Sequence, residues 1–322
     1  MRALVLESGR LSLQERDKPR PAGECLIRVT AAGICGTDLE LQRGYAQFSG
    51  VPGHEFVGIV ENAPDADAHW IGRRVVGEIT VGCGRCHGCR TAGRGHCDVR
   101  SVLGIIGRDG AFAEYLALPA VNLHAVPDSL DDLAAVFVEP TAAAYRVVEQ
   151  VKIDDHTCAA VVGAGRLGVL VAQALRERGA KTMVFVRTAR RRSLCVQLAL
   201  EAADIDSVDS LARQFDVVVD ATGAPDGFAR ARTLVRPRGT LVLKSTFHGE
   251  TPLAFSPLVV DEITLVGSRC GPFETAIEAL SGGLIEVKPL VDGVYPLERF
   301  AEAWEGARGG LKQFLTPQAK GR

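Results

Sequence analysis

Residues 158–178 read CAAVVGAGRLGVLVAQALRER: an apolar run, three glycines at 163, 165 and 168, and a second apolar run with helical spacing. Alone, the glycine pattern is a weak signal. Placed between a strand and a helix it is strong, because glycines permit a tight turn and let a pyrophosphate approach the helix N-terminus, where backbone N–H groups and the helix dipole favour an anion. The stretch therefore predicts a dinucleotide site built from Gly163, Gly165, Arg166, Leu167 and Gly168.

The same rhythm continues downstream. Apolar strand candidates recur as TMVFVR from 182, FDVVVDAT from 215, GTLVLKST from 239 and EITLVGS from 262, with helical runs at 167–178 and 193–203 between them. Apolar strands alternating with helices form a parallel sheet covered on both faces, so the fold class is α/β, a doubly wound parallel sheet of the Rossmann type. Thr222 and Gly223 end the strand that begins at 215 and are expected beside the cofactor. The second strand decides which cofactor. An acid about 20 residues beyond the glycines accepts hydrogen bonds from the ribose 2′-hydroxyl of NAD. Here the strand ends in Arg187, Thr188, Arg190, Arg191 and Arg192. Guanidinium groups bind a 2′-phosphate that a carboxylate would repel, so NADP(H) is expected over NAD(H), with Arg187, Thr188 and Arg192 in the site.

Upstream the texture differs. ALVLE, LSLQE and CLIRVTAAGIC read as short strands with a turn at 18–23, and further strands fall at 56–61, 74–78 and 113–117. Short strands punctuated by Gly and Pro indicate a mainly β module. The helical run 141–150 leads out of it, and 287–317 breaks the α/β rhythm and is expected to return to it.

Bulk properties narrow the field. A chain of 322 residues suggests two domains, and 47% hydrophobic with 24% charged residues is ordinary for a globular protein. A net charge of −2 removes the electrostatic case for nucleic acid or an anionic membrane as partner. No apolar run is long enough to span a bilayer, and the first residues lack a signal-peptide pattern, so a cytoplasmic protein is expected.

Nine cysteines are present, four of them at 83, 86, 89 and 97. An odd count with one dense cluster favours metal ligation over a disulfide framework. Four thiolates at this spacing close a tetrahedral shell, which marks a structural zinc; His87 and His96 are read as solvent-facing. Cys25, Cys158, Cys195 and Cys270 read as small packing residues. A second constellation lies in residues 33–58, GICGTDLELQRGYAQFSGVPGHEFVG. Cys35, His54 and Glu139 would make a mononuclear site, with Glu55 as a fourth or exchangeable ligand. Three protein ligands leave a position open for substrate, the catalytic arrangement of zinc.

Taken in order, GICGTD, GHEFVG, the four-cysteine lobe, GRDGAFAEY and GAGRLG resemble the zinc-dependent medium-chain dehydrogenase/reductase (alcohol dehydrogenase) superfamily over essentially the whole chain. The Glu139-Pro140 pair is similar to the polyol, sugar and threonine dehydrogenase branches. The resemblance implies a GroES-like catalytic domain at 1–145 with a zinc lobe at about 80–100, a Rossmann domain at 146–285, and a C-terminal return at 286–322. It implies two zinc ions, a catalytic one lined by Cys35, His54, Glu55 and Glu139 and a structural one on Cys83, Cys86, Cys89 and Cys97. It further makes Asp38 the outer partner of His54 and Thr37 the hydroxyl that passes the substrate proton outward. Ile105 and Ile106 are expected near the substrate. The implied activity is hydride transfer between NADP(H) and an alcohol/carbonyl pair, with a secondary alcohol, polyol or sugar-like small molecule as substrate. The alternatives are an NAD-dependent dehydrogenase or biosynthetic carbonyl reductase of the same family and, from another class, a non-catalytic zinc and nucleotide binding protein, against which the intact Cys35, His54 and glycines speak. A homodimer or homotetramer is implied, the strand EITLVGS pairing across a twofold axis. The chain departs from many relatives at Glu40, where they carry a His five residues after the zinc Cys, and in its brief 62–72 segment.

Overall fold

The structure, a computed structural model, describes residues 1–20, 23–246 and 253–317. Residues 21–22 of the turn expected at 18–23, and 318–322 of the C-terminal return, lie outside the described residues. Two compact units form, one from Met1–Glu139 with Leu290–Arg322, the other from Pro140–Pro289. The boundaries expected at 145/146 and 285/286 thus lie at 139/140 and 289/290, and the first expected one falls inside the helix Val138–Gln150.

The first unit is organised by the strand Cys25–Gly33. It pairs antiparallel with Glu55–Asn62 along most of its length, with Tyr115–Leu118 at its start and with Lys312–Thr316 at its end. The sheet runs in the order Val291–Pro296, Lys312–Thr316, Cys25–Gly33, Glu55–Asn62, Arg74–Gly77 and Leu123–Ala125. Residues from 290 onward thus supply two strands to the sheet founded by the N-terminal residues. Its core includes a T-shaped pair, Phe137 with Phe314, at 5.8 Å between centroids.

The second unit holds a six-stranded parallel sheet in the order Glu201–Asp204, Lys181–Val186, Cys158–Val162, Phe215–Asp220, Val235–Leu243 and Thr264–Gly267. Numbered along the unit this is 3-2-1-4-5-6, the doubly wound order, whose direction of travel reverses beside the first strand. Cys158–Val162 is buried almost throughout, as a strand covered on both faces must be. Phe185 and Phe215 meet edge to face at 5.9 Å on one side of it. The helical run expected at 193–203 is in fact a helix at Ala189–Gln197 and then the strand Glu201–Asp204. Thr188 starts the helix early by accepting from the Arg191 N–H at 3.3 Å, and Ala199 breaks it with a φ of +51°. The short edge strand EAAD carries too little apolar character to announce itself. Among the described residues no helix is long and apolar enough to cross a membrane.

Candidate metal centres and dinucleotide cradle

Register builds the first site. Gly33 pairs with Glu55 and Ala32 with Phe56, so Cys35, two residues past one strand, meets His54, one residue before the other. The Cys35, His54 and Glu55 ligand atoms all lie within 4.8 Å of one another. His54 and Glu55 are buried and Cys35 is half-buried. Glu139 lies in the first turn of Val138–Gln150, half-buried, and is not a member of that group.

Asp38, fully buried, ties the two sides together. Its carboxylate accepts from the Cys35 N–H at 2.8 Å and from the Gly53 N–H at 3.2 Å. His54 Nδ1 stands 3.4 Å from Asp38 Oδ1 but off the hydrogen-bond direction, which leaves that buried nitrogen unsatisfied. Burial works against an imidazolium here, yet Asp38 and Cys35 beside it outweigh burial and raise the His54 pKa well above its ordinary range. Sulfur, imidazole and carboxylate in one partly buried cluster suit zinc, whose ligands sit about 2.0–2.3 Å from the metal and therefore within a few ångströms of one another.

Thr37 Oγ1 is 3.8 Å from Cys35 Sγ and half-buried. Glu40, on the same short helix Gly36–Gln42, pairs at 2.7 Å with Arg43, the residue that caps its end. Ile105 and Ile106 occupy a turn closed on Val102, with Ile106 exposed.

One residue beside this cluster carries no signal in the sequence. Lys312 is 1% exposed and forms an ion pair with Glu55, itself 1% exposed. Phe314 pairs with Gly33 in the sheet, which carries Lys312 alongside the strand ends next to Cys35 and His54. No local pattern marks a lysine 257 residues away from its partner.

The cysteine lobe brings Cys83, Cys86, Cys89 and Cys97 within the same 4.8 Å limit. Backbone N–H groups point at the sulfurs: Cys83 N to Cys97 Sγ at 3.3 Å, Cys86 N to Cys83 Sγ and Cys89 N to Cys86 Sγ at 3.4 Å each. The backbone N–H groups of Arg85 and Cys86 lower the Cys83 pKa to about 6, while desolvation and the Cys86 sulfur push Cys89 up to about 12. Four crowded sulfurs cannot all become thiolates without a cation among them, which fits a four-sulfur zinc. His87 and His96 are exposed. Cys25 and Cys195 are buried packing residues whose thiols burial pushes up, Cys25 to about 11.

In the second unit the glycine turn follows Cys158–Val162 directly. Gly163 has φ +106°, and a Cβ on Gly168 would lie 1.9 Å from the Gly163 carbonyl oxygen, so neither tolerates a side chain. Arg166 and Leu167 sit half-exposed in the turn. Thr222 is committed to a local network: its N–H and hydroxyl donate to Asp220 Oδ1 at 3.0 and 2.8 Å. Ser245 Oγ donates to the same oxygen at 2.9 Å and accepts from the Gly223 N–H at 2.9 Å. Asp220 and Ser245, which the sequence reading passed over, thus fix the Thr222–Gly223 turn. Arg192 donates to the Ala202 carbonyl at 2.8 Å and lies 3.7 Å from Asp204, turned toward the edge strand. Arg187 pairs with Asp226 at 2.6 Å.

Residues 21–128 match the alcohol dehydrogenase GroES-like domain and residues 167–282 match the zinc-binding dehydrogenase family. The chain is 33% identical to an L-threonine 3-dehydrogenase of Streptomyces avermitilis, covering 96% of this chain and 97% of the relative. Two solved structures superpose with TM-scores of 0.89 at 27% identity, each covering 98% of this chain and 99% of the other: an alcohol dehydrogenase of Escherichia coli CFT073 complexed with NADH, and a zinc-binding dehydrogenase of Sinorhizobium meliloti 1021 bound to NADP. The chain belongs to the zinc-dependent medium-chain dehydrogenase/reductase (alcohol dehydrogenase) superfamily. It is an oxidoreductase acting on CH–OH donors, with a GroES-like and a Rossmann domain.

Proposed function

We propose that the protein transfers hydride between NADP(H) and a secondary alcohol, polyol or sugar-like substrate, with one catalytic and one structural zinc per chain. The observation that carries this reading is the partly buried Cys35–His54–Glu55 cluster, braced by Asp38. Zinc bound there supplies a Lewis acid that makes an alcohol hydroxyl acidic near neutral pH. Cys35 and His54 hold it with an acid, Glu55 or Glu139. Lys312 bears on that choice, because it neutralises the Glu55 carboxylate in this structure. Asp38 orients the His54 ring, and Thr37 Oγ1, next to Cys35, takes the substrate proton outward.

The nicotinamide dinucleotide supplies the hydride acceptor. Gly163, Gly165 and Gly168 leave room for its pyrophosphate; Arg166, Leu167 and the Thr222 turn flank it. Arg187 and Thr188 favour the 2′-phosphate, with Arg192 available to it only on leaving Ala202 and Asp204, and no acid stands at the end of Lys181–Val186 to prefer a 2′-hydroxyl. Self-association is supported by Thr264–Gly267, the edge strand of the sheet among the described residues, and by Phe255, Val259 and Val260, each more than two-thirds exposed.

Parallel fluorescence titrations with NADPH and NADH test the reading, followed by turnover with zinc-loaded protein on a panel of secondary alcohols and polyols. Tighter binding of NADPH and oxidation that stops on chelation support it. Binding of neither cofactor would sink it.

A further inference from the structure

Arg187 directly follows the strand Lys181–Val186, and Asp226 follows the strand Phe215–Asp220. These two strands flank Cys158–Val162, whose carboxyl end opens into the glycine turn. An ion pair between Arg187 and Asp226 therefore reaches across the end of the middle strand, beside the glycine turn. Arg187 Nη2 donates to Asp226 Oδ2 at 2.6 Å, and Arg230 Nε lies 3.3 Å from the same oxygen. Asp226 stands at the N-cap of Gly227–Leu234 but makes no side-chain capping bond. Its carboxylate serves the guanidinium groups instead. Both ends of the Arg187 pair are about half exposed, 54% and 50%.

Two guanidinium groups converge on one carboxylate, a charge pattern that suits an anion with more charge than a carboxylate. Resting on the NADP(H) reading above, we propose that Asp226 is a built-in competitor for the 2′-phosphate: it occupies Arg187 in the free protein and yields it when NADP(H) arrives, and so sets the margin by which NADP(H) is preferred. An exposed pair costs little to open, about fivefold in binding at most. The phosphate then gains Arg187 and Arg230 but remains near the Asp226 charge. NADH carries no 2′-phosphate and leaves the pair closed.

The test compares dissociation constants of NADPH and NADH for the wild-type protein and the Asp226→Asn, Arg230→Leu and Arg187→Leu variants, with folding of each checked by circular dichroism. Asp226→Asn is expected to tighten NADPH by about fivefold and to change NADH by less than twofold. Arg230→Leu is expected to weaken NADPH selectively. Equal changes for both cofactors, or weaker NADPH binding in Asp226→Asn, would overturn the competitor role and leave Asp226 as a positioning residue for Arg187. Failure of the underlying reading looks different, since Arg187→Leu would then leave the NADPH/NADH ratio unchanged.

Discussion

Asp38 holds the Cys35 and Gly53 backbones with one carboxylate and faces the His54 ring as well. Removing its charge while keeping its shape separates these tasks. Asp38→Asn is expected to cost about 10- to 100-fold in zinc affinity or turnover, read by chelator competition and kcat, and a change under twofold would confine Asp38 to bracing the backbone. Lys312 poses the complementary question. Lys312→Met leaves the buried Glu55 carboxylate without its cation, and about 3–5 kcal/mol of stability should go with it. Zinc gives Glu55 another partner, so urea unfolding should reveal a smaller loss in zinc-loaded than in chelated protein. Equal losses would mean that Glu55 never turns to the metal and would leave the ligand role to Glu139. Cys35→Ala and Cys83→Ala should likewise part company: the first abolishes turnover with the fold intact, the second chiefly lowers the melting temperature.

Single elements make predictions of their own. The turn from Cys158–Val162 into Gly168–Glu177 packs so closely that Gly168→Val must force Gly163 away. Isothermal titration should find no binding of either dinucleotide to that variant; retained affinity would mean that the turn is only a packing device. Further along, Asp261 ends the helix Phe255–Val260 and accepts from Arg213 at 2.8 and 2.9 Å and from Arg232 at 2.5 Å. The hydrogen bond from Arg213, then its charge and Arg232, hold the Asp261 carboxyl below the usual range. A depressed pKa contributes stability that is complete above the unfolded value, about 4, and disappears as pH falls through the folded one. Urea midpoints of wild type and Asp261→Asn should therefore differ at pH 6 and converge as the pH drops below 4. A gap that persists in acid would show that packing, not charge, ties these elements.

At the scale of the whole molecule the countable quantities are metals and subunits. Elemental analysis of the purified protein should give two zinc ions per chain, and one per chain after Cys83→Ala; one in the wild type would remove either the cysteine lobe or the Cys35 cluster from the account. Light scattering should return at least twice the chain mass. Val260→Asp, on the exposed apolar face, should lower it; an unchanged mass would place the contact elsewhere.

Local chemistry was enough to determine much of this protein. The glycine turn between an apolar strand and an apolar helix specified the parallel α/β sheet, because turn geometry and hydrophobic period act within a few residues. The four cysteines at 83–97 specified their cluster for the same reason. Cys35 and His54 could be named as candidate ligands by residue type, but their meeting depends on a register of Gly33 against Glu55 that no short window contains. Tertiary structure alone decided the rest: Lys312 on Glu55, Asp226 on Arg187, and Asp220 with Ser245 behind Thr222. Lys312 and Glu55 lie 257 residues apart, Arg187 and Asp226 39, and Ser245 and Asp220 25, beyond any short window of sequence. Charged and hydroxyl residues are common on any surface, and only the folded sheet selects which of them are neighbours.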